Sequence, residues 1–249
     1  MYKNYKKFLS ALRKKLLNRE TKFSLFVRYQ LYSEYLTSLD YFDDVYAIDD
    51  KKISTDADYL EYSIGQVQTS ASYNYSTCTI TYQVEYDDTL KQEKALTKKL
   101  SKILASLKLD GLSNYNKIKK IHDYVVNHMR YDQTYSKYSA YHAVYDKEGV
   151  CEAYSLLMYR LLNDAGIPCI IVDGTGNGGS HAWNAVKLKG KWYFVDATWD
   201  DPVMSDGSDV CRYTYFLKCY NDMEGHVIPG FEEGTCKWSN YKWSNKSYK

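Results

Sequence analysis

Three side chains in this sequence can be assembled into one nucleophilic device: Cys151, His181 and Asp196. After Cys151 the apolar positions Leu157, Leu161, Leu162 and Ala165 recur at helical spacing, and Gly166 stands where a helix stop is expected. The thiol then falls in the first helical turn, where unpaired N–H groups and the helix dipole favour an anion. The thiolate is the form of cysteine that attacks carbonyls. A lone cysteine is as a rule a small buried core residue, so its partners decide the reading. Residues 181–188 read as a strand, Lys189-Gly190 as a hairpin turn, and residues 191–199 as the returning strand. Such a hairpin pairs residues whose numbers add to about 379, which sets His181 and Asp196 diagonally near each other. An imidazole in reach of a thiol, oriented by a carboxylate, is the arrangement that nucleophilic acyl transfer needs.

The elements that must position this trio lie in the second half of the chain. Ile118, Ile121, Val125 and Met129 predict a helix starting at Ser113 or Asn114. It carries His122 and His128, whose spacing does not make a metal pair and which read as surface residues. Residues 131–148 read as loop or short helix, 168–173 as a buried strand, and the glycine-rich stretch 174–180 as a flexible loop. That loop lacks the GK[ST] ending of a phosphate loop, so no nucleotide site is expected. The polar tail from residue 232 carries tryptophans that read as exposed.

The first half, residues 1–112, reads as a small α+β domain with no catalytic constellation. An amphipathic helix over 5–19 has Phe8, Leu9, Leu12 and Leu16 as its apolar face. Strands are expected over 23–29, 59–64 and 72–86, with a helix over 31–39. In the longest strand Cys78, Ile80, Tyr82 and Val84 share one face, and Tyr73, Tyr75, Thr77, Thr79 and Thr81 the wetter one. A helix through Leu96, Leu100, Ile103, Leu104 and Leu107 ends near Asp110-Gly111, where the domain boundary is placed.

The 249 residues carry a net charge of +2, which favours no class of charged partner. A basic start (Lys3, Lys6, Lys7, Arg13, Lys14, Lys15, Arg19 and Lys22) precedes an acidic run from Asp40 to Asp58. The basic run reads as the solvated face of the first helix rather than a nucleic-acid surface. No apolar run has membrane-spanning length, and the N-terminus lacks the apolar middle of a signal peptide. A chain from which a leader had been removed would look the same. The 6 cysteines show no CxxC pair and no zinc spacing.

The motifs Gly-Val-Cys151-Glu-Ala-Tyr, Gly-Ser-His181-Ala-Trp-Asn and Lys-Trp-Tyr-Phe-Val-Asp196-Ala-Thr-Trp-Asp-Asp-Pro resemble the transglutaminase-like superfamily. Their order and spacing are similar to those of its compact bacterial members. Lys120-Ile-His-Asp-Tyr and Tyr131-Asp132 resemble the helix and turn that precede the core there. The resemblance implies a papain-like α+β core over residues 113–249, with the Cys helix packed on an antiparallel sheet. It implies that Cys151 attacks a glutamine carboxamide of a protein or peptide, that His181 protonates the departing amine, and that Asp196 orients His181. A lysine amine would resolve the thioester into an isopeptide crosslink, and water into deamidation.

The chain departs from the animal enzymes at Val150 and Glu152, where they carry Gln and Trp. They also use an upstream indole as an oxyanion donor, and here no Trp precedes Trp183. Tyr131 is the expected substitute, with a core role as the alternative. Trp183 and Trp199 flank the triad and are candidates for the wall of the substrate entrance. Asp200, Asp201, Asp206 and Asp209 lack EF-hand spacing, so no metal or other cofactor is expected. A cysteine peptidase or amidase with the same triad is the nearest rival. A protein-binding module with an idle triad is a third reading.

Overall fold

The computed structural model describes residues 1–48, 53–203, 210–232, 234 and 237–248. Asp49, Asp50, Asp206, Asp209 and Cys236 lie outside the described residues. The chain divides into two compact units, Met1–Glu93 and Lys94–Lys249, a cut earlier than residue 112.

The first unit runs α1 (Tyr5–Leu17), β1 (Lys22–Arg28), three short helices α2 (Tyr29–Tyr35), α3 (Tyr41–Tyr46) and α4 (Asp58–Glu61), then β2 (Ile64–Tyr73) and β3 (Thr77–Tyr86). Its antiparallel sheet has the order β1-β3-β2. Asn4 caps α1 by accepting the Lys7 N–H, and the stripe Phe8, Leu9, Leu12 and Leu16 is buried. It shares a core with Phe23, Leu25 and Val27 of β1 and with Cys78, Ile80, Tyr82 and Val84 of β3. Each fully buried side chain of this size contributes about 1.5–3 kcal/mol. Most of the basic start is solvated, but Arg13 pairs with Asp56, and Arg19 is buried against Ser63 and Glu93.

Two expected strands differ here. Residues 59–64 hold α4, because the consecutive residues Tyr59 and Leu60 are both buried, which an alternating strand cannot achieve. Residues 72–86 are cut by a turn, because the Asn74 side chain accepts the N–H groups of Ser76 and Thr77 at 3.0 Å each.

Helix α5 (Leu90–Ser106) spans the division between the units. The second unit then runs α6 (Asn114–His128), β4 (Arg130–Tyr131), α7 (Ala140–Tyr145), β5 (Glu148–Gly149) and α8 (Cys151–Asp164). Strands β6 (Cys169–Gly176), β7 (Gly179–Leu188), β8 (Lys191–Val195) and β9 (His226–Val227) follow. They form an antiparallel sheet in the order β8-β7-β6-β9, while β4 and β5 make a two-residue parallel pair. Helix α8 packs on β6 and β7 and against α6 and α7, and every residue from Ala153 to Leu162 is buried. It is enclosed on all sides rather than along one stripe. A central helix on an antiparallel sheet is the α+β architecture the sequence predicts.

The stretch 174–180 is not a loop. Strand β6 continues to Gly176, and Asn177 and Gly178 turn the chain with φ of 50° and 83° before β7 starts. Two consecutive positive φ values mark the tight turn that an Asn-Gly pair encodes. The tail is also not exposed at its tryptophans: Trp238 is buried, and Trp243 stacks on Phe194 at 4.6 Å. Among the described residues, no helix is long and apolar enough to cross a membrane.

Candidate active site

Cys151 is the first residue of α8, preceded by Val150 in extended conformation. Val150 makes no side-chain cap bond, so the helix start carries no competing carboxylate or hydroxyl from its own cap. The backbone ahead of the cysteine is held from two sides. Asp132 donates its N–H to the Gly149 carbonyl at 3.0 Å, and Val150 donates to the Lys137 carbonyl at 2.9 Å. Position 149 has no room for a side chain, since a Cβ there would lie 2.4 Å from the Ala153 Cβ. The thiol is neither fully buried nor fully exposed.

His181 and Asp196 meet as the predicted register requires. The Lys189-Gly190 turn pairs Leu188 with Lys191 and Asn184 with Val195. One residue beyond the last β8 position, the Asp196 Oδ2 accepts a hydrogen bond from His181 Nε2 at 2.7 Å. Cys151 is near enough to raise the pKa of the ring, and with Nε2 taken by Asp196, Nδ1 is the nitrogen left for the sulfur. Burial works against the charged ring, but the bonds to Asp196 and Cys151 outweigh it and raise its pKa to about 10. Asp196 is fully buried, yet bonds from His181 and His226 overcome that burial and lower its carboxyl to about 2. Its second oxygen, Oδ1, accepts the backbone N–H groups of Thr198 at 2.9 Å and Trp199 at 3.2 Å. A carboxylate so fixed holds the imidazole in one tautomer and one orientation.

A cleft of about 290 Å³ opens beside this pair, lined by Tyr131, His181, Thr198, Trp199, Asp201, Pro202 and Val203. Tyr131 is brought there by the β4–β5 pair, which sets it opposite Gly149, two residues before the cysteine. Burial first, then the neighbouring Cys151, pushes its phenol up to about 12, so it stays a hydrogen-bond donor. Trp199 stacks on the His181 ring at 5.3 Å and lines the cleft. Trp183 does not. It is 1% exposed and stacks on His181 at 5.6 Å, so its indole is packing inside the sheet rather than an entrance wall. The Thr198 hydroxyl, buried at the cleft, has no hydrogen-bond partner among the described residues.

Two buried histidines were not expected at the site. His226, from the two-residue strand β9, donates Nε2 to the same Asp196 Oδ2 at 2.9 Å. Sequence periodicity cannot find a residue on so short a strand. His122 is fully buried rather than a surface residue: its Nε2 lies 3.1 Å from Asp200 Oδ2, and Asp123 flanks Nδ1 at 3.4 Å. Its burial opposes the charge, but these carboxylates raise it to about 10. His128 is half-buried and stacks on Tyr124 at 4.9 Å.

Donor atoms of His122, Asp123 and Cys211, and of His181, Asp196 and His226, fall within 4.8 Å of one another. In the second set those atoms are consumed by N–H···O bonds between the histidines and the carboxylate. In the first, Lys119 and Tyr213 already occupy the Asp123 carboxylate. Of Asp200, Asp201, Asp206 and Asp209, the two described ones are engaged: Asp200 accepts from His122 and the Tyr215 N–H, and Asp201 from Tyr154.

Comparison with known proteins bears on the same residues. A family model described as the transglutaminase-like superfamily matches residues 102–197, a span that contains Cys151, His181 and Asp196. Kyphoscoliosis peptidase of Mus musculus is 25% identical over 134 residues, covering 47% of this chain and 20% of that protein. Its Homo sapiens counterpart is 26% identical over 140 residues, covering 47% and 21%. The chain thus spans about a fifth of the length of these curated relatives. Among solved structures, a TGase crystal structure is similar with TM-score 0.41 and 18% identity, over 74% of this chain and 56% of that one. A putative cysteine protease from Cytophaga hutchinsonii has TM-score 0.38 and 18% identity, over 59% and 65%. The segment 102–197, which carries Cys151, His181 and Asp196, thus matches the transglutaminase-like superfamily, which covers both transglutaminases and cysteine peptidases.

Proposed function

We propose that the chain catalyses thiol-dependent acyl transfer on protein glutamine side chains. Cys151 is the nucleophile, His181 the proton carrier and Asp196 the residue that orients His181. The observation that carries this reading is the His181 ring, bonded through Nε2 to the buried Asp196 carboxylate, together with the Cys151 thiol at a helix start that raises the pKa of the same ring. The chemistry runs through a tetrahedral intermediate. The sulfur adds to the carboxamide carbon, the oxygen takes the charge, and the C–N bond breaks as His181 gives the departing amine its proton. In this reading the first-turn N–H groups of α8 and the Tyr131 phenol are the donors for that oxygen. Ammonia leaves, a thioester remains, and an amine or water releases the acyl group while returning a proton to His181. Tyr131 and Trp199 line the cleft beside His181, and in this reading an aromatic wall there favours an amine over water.

A second reading, a cysteine peptidase with the same trio, is favoured by the resemblance to proteins named kyphoscoliosis peptidase. The two separate in one tube. A labelled primary amine is offered with a glutamine-rich acceptor protein, and newly formed amino termini are counted alongside, with Cys151→Ala as control. Labelling that depends on Cys151 supports transamidation, and new termini without labelling support the peptidase. The absence of both, with an unreactive Cys151 thiol, would sink the catalytic reading and leave a binding module.

A further inference from the structure

The buried histidine behind Asp196 has two acceptors and no donor to face. His226 Nε2 lies 2.9 Å from Asp196 Oδ2, and its Nδ1 lies 3.1 Å from the backbone carbonyl of Glu224. A carbonyl oxygen can only accept, and so can an ionised carboxylate. Both ring nitrogens must therefore carry a hydrogen for both bonds to form, and a neutral imidazole has only one. Burial works against a charged ring here as it does at His181, and the Asp196 carboxylate is the charge that offsets it. The His226 side chain is fully buried, and ring centroids of Trp199, Trp183 and Tyr215 lie 4.2, 4.8 and 5.0 Å from it. Trp183 meets the ring edge-on, and Trp199 and Tyr215 are tilted to it.

We infer that His226 is a positioning residue that holds a proton on each nitrogen and shares the Asp196 carboxylate with His181 as a second, charge-balancing partner. The inference rests on the proposed Cys151–His181 chemistry for its consequence but not for its geometry. Asp196 then serves two imidazoles with one oxygen, while its other oxygen is held by the Thr198 and Trp199 N–H groups. Part of its negative charge is balanced by His226, so Asp196 raises the His181 pKa less than an unshared carboxylate would. The titratable groups facing His226 are Asp196 after β8, His181 on β7, and Tyr215 and Glu224 on its own stretch. Cys151 of α8 lies beyond His181.

The first experiment is nitrogen-15 NMR of the histidine side chains of the intact chain at pH 7, with the His226 signal assigned by its loss in His226→Gln. Two protonated ring nitrogens are expected. One protonated and one bare nitrogen would overturn the inference, with no reference to catalysis. The second experiment is the pH profile of Cys151 alkylation by iodoacetamide in the wild type and in His226→Gln, whose side-chain N–H replaces the donor without the charge. Removing a positive charge whose ring centre lies 5.4 Å from His181 should move the profile to higher pH by about 1–2 units. An unmoved profile in a folded His226→Gln would leave His226 merely structural and overturn the inference. A wild-type thiol that never reacts as a thiolate would instead remove the catalytic reading, while the NMR result stands by itself.

Discussion

Trp199 lies over the ring of His181 at 5.3 Å with the two planes 29° apart, and both side chains press on Gly176, which has no side chain. A Cβ at Gly176 would sit 2.8 Å from the Trp199 ring and 3.0 Å from the His181 ring. Gly176→Ala is expected to push the imidazole off its line to Cys151. Turnover should fall by about 10- to 100-fold, as small misplacements of reacting groups do. The melting temperature should change by only a few degrees. Wild-type turnover in a folded Gly176→Ala would show that the stacking does not set the position of His181.

Cys151→Ala should abolish turnover and leave the circular dichroism spectrum and melting temperature near wild type, because the thiol is not part of the closed core. Asp196→Asn should fold and lose about 10⁴-fold in turnover, since the amide favours the wrong imidazole tautomer. Turnover retained by Asp196→Asn would make Asp196 structural.

Tyr131→Phe tests the oxyanion role of the phenol. Loss of one donor to a developing oxyanion lowers kcat by about 10²–10³-fold. The expected signature is a fall in kcat with KM nearly unchanged. An unchanged kcat would leave Tyr131 as a wall of the cleft.

The charge on His181 makes folding stability depend on pH in a defined direction. Its folded pKa, raised to about 10, exceeds its unfolded value near 6.5, so its contribution is fully present below about 6.5. That contribution is lost as pH rises through about 10. Asp196 behaves oppositely: held at about 2, it contributes above its unfolded value near 3.9, and the contribution is lost as pH falls through about 2. The melting-temperature difference between wild type and His181→Gln should therefore shrink steadily from pH 6 to pH 10. A constant difference across that range would contradict the His181–Asp196 pairing.

His122 and Asp200 form a fully buried pair at 3.1 Å. Truncating one partner of such a pair leaves the other uncompensated and costs about 3–5 kcal/mol. His122→Ala should lower the melting temperature sharply, while its residual folded fraction keeps the wild-type alkylation profile of Cys151. A stable His122→Ala would show that Asp200 finds another partner.

The trio itself was legible because each member sits on an element with a strong local signal. Cys151 begins an apolar-patterned helix, and the Lys189-Gly190 turn fixes the pairing that sets Asp196 against His181. The Asn177-Gly178 turn was equally encoded, but the surrounding glycines masked the strand on either side of it. Tyr59 and Leu60 misled for another reason, since β-branched and aromatic neighbours suit a strand until tertiary burial asks two adjacent side chains to face inward. His122 and His226 could not be placed from sequence. One is buried by a carboxylate 78 residues away, and the other rides on a strand of two residues.

The Lys189-Gly190 turn adopts φ of 49° and 79° on the surface, at the end of the hairpin remote from the cleft. Side chains alternate along a strand, so a slip of one residue in that turn would send every position of β8 to the opposite face. The turn acts as the index mark of a ruler about seven residues long. A mutational scan should accordingly find strong intolerance at an exposed corner that touches no substrate. Heritable constraint at such a corner reflects alignment of a distant acid with its base, and on a map of tolerated changes it would resemble a docking site that is not there.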